Sequence, residues 1–260
     1  MPELPDVEVF RRRLAHASLH RLIEHTHVYD KSVLRDTTAH GLSQTLSGQS
    51  LERTGRRGKQ LWVGVSDGRF LVLHFGMTGF VAPGVVEDPP HKHARVSLEF
   101  AGGRRVDFVD QRKLGFVTLI EDIDEHFRRE ELGPDALDVS RSDLRELCRS
   151  WRGGIKSLLM DQSTMAGVGN IYSDEILFQA RLDPRRCSTD LDEASVGRLH
   201  RRLHRVLTTA IDRHADPAQL PASWLIQRRV DGVPCPRGNG EVRHFRSGGR
   251  GAFFCPACQR

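Results

Sequence analysis

The chain has 260 residues, of which 38% are hydrophobic and 28% charged, enough for a packed core in one large domain or two small ones. Its formal charge of +5 comes from arginine: five lysines stand beside 34 arginines. Guanidinium forks suit phosphate oxygens, so nucleic acid is the expected partner. No apolar run approaches the ~20 residues of a membrane-spanning helix, and no secretory apolar segment comes after Met1. Five cysteines, two of them isolated (Cys148 and Cys187), do not make a disulfide framework, which points to a reducing cytosol.

In chain order, Met1-Pro2-Glu3 comes first. Removal of Met1 would leave a secondary amine on Pro2, able to form an iminium with an aldehyde-like carbon, beside a carboxylate able to move protons. Residues 5–16 read as a helix, with Pro5 at the first helical position and Val7, Phe10 and Leu14 on one face. The next stretch of the chain reads as strands. Gln60–Ser66 and Arg69–Phe75 flank the turn Asp67-Gly68, and Arg95–Phe100 and Arg104–Asp110 flank Ala101-Gly102-Gly103. Phe116–Ile120 adds a further strand, so the first half is expected to be a β-sandwich or barrel. Lys59, ahead of an apolar strand, could meet a phosphate or serve as an edge-strand gatekeeper. Two loops stand out, His74–Gly79 with Met77 between glycines and Asp110–Gly115 with two cations and an apolar tip. Met77 could enter a gap in a stacked duplex or fold back into the core, and the second loop could pair phosphates and wedge bases or be a solvated turn.

The character changes at Leu132-Gly133-Pro134-Asp135. Residues 140–213 read as helical, with Ser140 as N-cap and a long basic helix over Leu191–Arg213. Gly167-Val168-Gly169-Asn170-Ile171-Tyr172 leads into a helix whose first N–H groups could meet a phosphate. The last 26 residues form a Gly-rich hairpin bounded by Cys235 and by Cys255-Pro-Ala-Cys258. A four-thiolate zinc ribbon needs a second cysteine where Gly238 stands, and His244 lies well along the hairpin. Bound zinc, a metal-free hairpin and a site completed from elsewhere all remain open.

Together these elements resemble the formamidopyrimidine-DNA glycosylase / endonuclease VIII family. Six segments match in order: Pro2–Glu8, the Lys59 segment, the Met77 loop, the Arg112 loop, Gly167–Tyr172 and the terminal hairpin. The resemblance implies a two-domain α+β fold. An N-terminal helix and two-layer antiparallel β-sandwich (residues 1–131) would face a helix–two-turn–helix domain (132–223) across DNA, with a zinc or zincless β-hairpin finger (224–260). Pro2 would attack C1′ of the damaged nucleotide, with Glu3 moving protons and Lys59 near the sugar and phosphate. His93, Arg112, Lys156, Asn170 and Arg250 would contact DNA. Met77, Arg112 and Leu114 would fill the gap left by the everted base. Cys235, Cys255 and Cys258 would be the metal ligands, with the fourth missing at Gly238.

The implied activity is excision of oxidised bases from double-stranded DNA, followed by strand cleavage through β,δ-elimination, by a monomer. Departures from the family pattern are Gly238, Leu114 in place of an aromatic wedge, and Gln111 and Lys113 where Pro and Arg are usual. A short segment before Cys235 implies weak activity on 8-oxoguanine. A non-catalytic damaged-DNA binder on the same fold is the alternative, and an RNA-binding zinc-ribbon protein a third reading.

Overall fold

The computed structural model describes residues 1–247 and 249–260. They form two compact units, Met1–Pro2 with Asp6–Glu130, and Glu3–Pro5 with Glu131–Arg260.

The first unit carries most of helix α1 (Leu4–Ser18) and two antiparallel four-stranded sheets. Strands β1 (Ile23–Val28), β5 (Phe80–Val85), β6 (Ala94–Phe100) and β7 (Arg104–Val109) make one sheet, in the order β1-β6-β7-β5. Strands β2 (Leu51–Arg57), β3 (Gln60–Val65), β4 (Phe70–His74) and β8 (Phe116–Ile120) make the other, in the order β2-β3-β4-β8. The expected hairpins are β3–β4 and β6–β7. At the first, Gly68 takes φ +92°, and the Asp67 carboxylate accepts from the Arg69 N–H at 3.0 Å. Leu61, Val63, Leu71 and Leu73 from one sheet and Val96, Leu98, Val106 and Phe108 from the other share one core with Val7 and Leu14 of α1. Each such side chain, fully buried, contributes roughly 1.5–3 kcal/mol. Helix α2 (Ala39–Leu46), capped by Thr38, adds Leu42 and Leu46, and α3 (Ile123–Arg129) closes the unit.

The second unit is built on α4 (Arg141–Ser150), α5 (Ile155–Met160), α6 (Asn170–Ala180) and α7 (Glu193–Asp212). Ser140 caps α4 in a full capping box with Asp143. The region read as helical throughout is broken after Met160 and after Ala180, where Asp161 and the left-handed Arg181 (φ 58°) end their helices. Helix α7 presents Val196, Leu199, Leu203, Val206, Leu207, Ala210 and Ile211 along one apolar stripe, its arginines lying off that stripe. The hairpin of β9 (Arg243–Ser247) and β10 (Arg250–Phe254) shares a small core with α6, in which Phe178 packs with Cys235, Val242 and Cys255.

Candidate active site and DNA-contact residues

Glu3 lies 1% exposed at the head of α6, 166 residues away in sequence from the glycine it meets. Its carboxylate accepts from the backbone N–H groups of Gly169 (2.8 Å), Ile171 (2.8 Å) and Tyr172 (3.2 Å). Helix α6 has no side-chain cap of its own, so Glu3 supplies the anion that a helix N-terminus favours. The Gly167–Tyr172 turn therefore differs from the sequence expectation: three of its N–H groups are committed to Glu3 rather than offered to a phosphate.

The glycines follow from the same approach. A Cβ on Gly169 would stand 2.5 Å from Glu3 Oε1, and one on Gly167, at φ +122°, would stand 2.6 Å from Leu4 Cδ1. The Leu4 N–H donates to Gly167 O at 3.0 Å and completes the clamp. Pro2 precedes Glu3 directly, and Met1 is 45% exposed.

Asn170 opens α6. Its Nδ2 donates to Gly251 O in the finger hairpin at 2.9 Å, while its buried Oδ1 has no hydrogen-bond partner among the described residues. Lys156, expected at DNA, is instead 0% exposed. Its ammonium donates to Asp174 Oδ1 (2.6 Å), Ser173 Oγ (2.7 Å) and Asn170 O (3.2 Å). Burial pushes the Lys156 pKa down against the pull of Asp174. In this arrangement Lys156 braces the Asn170 turn from behind.

Asp174, which the sequence did not single out, also accepts from Arg229 (2.8 Å) and from the Phe253 N–H (3.2 Å). Arg229 lies over the Phe253 ring at 5.0 Å. One carboxylate thus ties α5, α6, the segment after α7 and the finger together. Its signal was an acid four residues after Asn170 in a helix that is otherwise mostly buried and apolar. Arg250, at the start of β10, is exposed.

In the first unit the two singled-out loops are brought together. Asp110, fully buried, accepts from Thr78 Oγ1 (2.9 Å), the Gly115 N–H (2.8 Å) and the Arg112 N–H (3.2 Å). A Cβ on Gly76 would meet the Leu114 backbone at 2.5 Å, and one on Gly115 would run into His74 O. The backbones therefore touch where both carry glycine. Beyond that contact Met77 is 44% and Leu114 50% exposed, and Arg112 is exposed. Large apolar side chains left in water beside a cation are the arrangement a duplex wedge requires. His93 is fastened to the same assembly, its carbonyl accepting from the Asp110 N–H at 3.1 Å.

Lys59 follows Gly58 (φ +58°) in the β2–β3 turn, half-buried. Its charge reaches His74, whose pKa falls to about 4, first through burial and then through Lys59 and Arg35.

The finger gathers Cys235, Cys255 and Cys258, whose sulfur atoms lie within 4.8 Å of one another and could hold a metal ion. Three thiols at that spacing suit zinc. A fourth ligand is lacking among the described residues: a Cβ on Gly238 would meet nothing within 4 Å, and the His244 ring packs on Phe253 with centroids 4.9 Å apart.

The sequence profile of the formamidopyrimidine-DNA glycosylase N-terminal domain matches residues 1–117, and that of the glycosylase H2TH domain matches residues 132–221. Formamidopyrimidine-DNA glycosylases of Pelotomaculum thermopropionicum and Thermus thermophilus are 32% and 35% identical to the chain. Each comparison covers 100% of this chain, and 99% and 98% of the relative. The Lactococcus lactis enzyme, bound non-covalently to DNA containing an AP site, superposes with a TM-score of 0.88 at 29% identity over 99% of both chains. Matched along its whole length in sequence and in fold, the chain belongs to the formamidopyrimidine-DNA glycosylase family.

Proposed function

We propose that the chain is a base-excision-repair DNA glycosylase that also cleaves the DNA strand. The observation that carries this reading is the Glu3 carboxylate, clamped by three backbone N–H groups directly after Pro2. Such a clamp pre-positions a proton-transferring group next to a nucleophile.

With Met1 removed, the Pro2 amine attacks C1′ of the damaged nucleotide. The C1′–base bond breaks with its electron pair leaving on the base, and the Pro2 nitrogen loses its proton. The C1′–O4′ bond then opens, its electron pair going to O4′, which is protonated, while the nitrogen lone pair forms the iminium at C1′. Glu3 shuttles protons at the sugar, and Lys59 lies near the sugar and phosphate. The iminium acidifies the C2′ hydrogen, so β-elimination expels the 3′ phosphate and δ-elimination the 5′ phosphate. Met77, Arg112 and Leu114 fill the void left by the everted nucleotide, which offsets part of the unstacking cost of a few kcal/mol. Asn170 and Arg250 hold the flanking phosphates, His93 and Arg112 add contacts, and Lys156 acts by bracing Asn170.

Zinc on Cys235, Cys255 and Cys258 would hold the finger and take no part in the chemistry. Residues 1–131, 132–223 and 224–260 serve as the catalytic, DNA-binding and finger modules of a cytosolic monomer.

Substrate choice rests on the segment after α7. Leu220, Trp224 and Leu225 are buried, and the Ile226 N–H donates to the Glu175 carboxylate at 2.9 Å. A segment so tied down makes a poor cover for an everted 8-oxoguanine. Ring-opened purines, oxidised pyrimidines and abasic sites are therefore the preferred substrates, with 8-oxoguanine weak.

Borohydride trapping on an abasic duplex tests the chemistry. Wild type, shown by intact mass to lack Met1, should form a covalent adduct, and Pro2→Gly should form little. Tight duplex binding without an adduct would leave a non-catalytic DNA binder.

A further inference from the structure

At the far end of α6 from Asn170, a hollow of about 670 Å³ opens between that helix, α7 and the finger. Six arginines line it: Arg181, Arg186, Arg198, Arg202, Arg237 and Arg260. No carboxylate side chain is among its lining residues, and none of the six forms an ion pair among the described residues. Elsewhere the arginines are commonly paired, as in Arg105 with Asp107 and Arg185 with Asp183. The guanidiniums that do make hydrogen bonds here use neutral acceptors. Arg237 donates to Phe178 O and Gln179 Oε1, Arg198 to Ala180 O and Ser195 Oγ, and Arg186 to Asp190 O.

Two acids near these arginines are otherwise engaged. Asp192, near Arg186 and Arg198, caps α7 through the Ser195 N–H at 2.8 Å. Glu175, near Arg237, is buried and bonded to Gln179 and to the Ile226 N–H. Six like charges around one concavity repel one another and draw anions. They are spread over three elements, so a single small anion would leave most of them unmet. A second hollow of about 280 Å³ shares Gln179 and Arg202 with the first and reaches Arg205 and Thr209. The ligand it fits is therefore a run of closely spaced phosphates.

We propose that this arginine hollow is a second, phosphate-binding site for an extended polyanion, distinct from the residues assigned to lesion recognition. Helix α6 separates the two: Asn170 opens it and Arg181 follows its last residue, about 16 Å away at 1.5 Å per residue. The polyphosphate chemistry is shared by a nucleic-acid backbone lying outside the lesion site and by free inorganic polyphosphate.

Inorganic tripolyphosphate is the probe, titrated calorimetrically into the full-length protein. Arg181→Glu/Arg202→Glu is the informative variant, because neither guanidinium makes a hydrogen bond within the protein among the described residues. Wild type should show one saturable site. The double variant should lose about tenfold or more in affinity, as expected for removing charge-assisted phosphate contacts, with its melting temperature kept. Arg201→Glu, on the same helix but outside the hollow, should bind as wild type does. A short abasic duplex that fills only the lesion site should not displace the probe. Displacement by a longer duplex assigns the hollow to nucleic-acid backbone; resistance to it assigns the hollow to free polyphosphate. Absent saturable binding, equal affinity in the double variant, equal loss in Arg201→Glu, or displacement by the short duplex each overturns the proposal.

Discussion

Gly169→Ala isolates the Glu3 carboxylate, to which we assign proton transfer, from everything else. The backbone there (φ −124°, ψ −159°) is open to any residue, so the substitution carries no conformational penalty of its own. The added methyl, however, would stand 2.5 Å from Glu3 Oε1 and 2.8 Å from Glu3 Cγ. Ordinary contact requires about 3.5 Å, so the carboxyl group must retreat by roughly 1 Å. A displacement of that size at a positioned catalytic group costs about a hundredfold in rate. It also loosens three hydrogen bonds to a charged acceptor, each worth roughly 1.5–3 kcal/mol. Single-turnover excision and borohydride trapping on an abasic duplex, read beside thermal melting, separate the two effects. The expected variant is folded, about a hundredfold slower in trapping, and unchanged in duplex affinity. Glu3→Gln, which keeps the shape and removes the charge, should show the same kinetic loss. A Gly169→Ala protein that traps at the wild-type rate would refute the reasoning, because the carboxylate would then act without its clamp.

Asp174→Ala leaves the Lys156 ammonium buried without its anion and releases Arg229. The expected loss is about 3–5 kcal/mol by denaturant titration, whereas Asp174→Ala combined with Lys156→Met should recover part of it. Two groups with displaced pKa values should give the units opposite pH trends. In the second unit burial raises the Glu175 pKa from 4.5 to about 7. The unfolded state then holds fewer protons between those values, and stability falls as pH rises from 4.5 to 7, by roughly 3 kcal/mol. In the first unit the His74 pKa drops from 6.5 to about 4. There the unfolded state holds more protons, and stability is lost by a similar amount, roughly 3 kcal/mol, as pH falls from 6.5 to 4. Hydrogen exchange resolved by unit would show the two slopes, and Glu175→Gln and His74→Phe should each flatten one. Zinc should bind at one equivalent per chain and be drawn off by a chelator more readily than from a four-thiolate site, while Cys258→Ser should abolish uptake measured by elemental analysis.

Local signals in the chain were enough for most of the framework. Asp67-Gly68 needs a positive φ that glycine supplies, and β3 and β4 flank it as expected. Ser140 had Asp143 three residues on, and the capping box formed. The three finger cysteines, with Cys255 and Cys258 lying 20 and 23 residues after Cys235 in sequence, do meet. Missing from any local window was what the long-range approaches would do. Gly167 and Gly169 looked like a phosphate-binding turn because that is the usual use of glycines before a helix. Glu3 could equally be placed anywhere by its sequence. Only when the chain start is packed on α6 do the two glycines become the space that Glu3 and Leu4 occupy. Lys156, expected at DNA, is buried for the same reason. Its anion, Asp174, lies 18 residues on, outside any local window, and the two are buried together. The polar residues of the candidate site were thus visible as types, while their partners, which decide whether a charge faces solvent or braces a turn, belong to the fold.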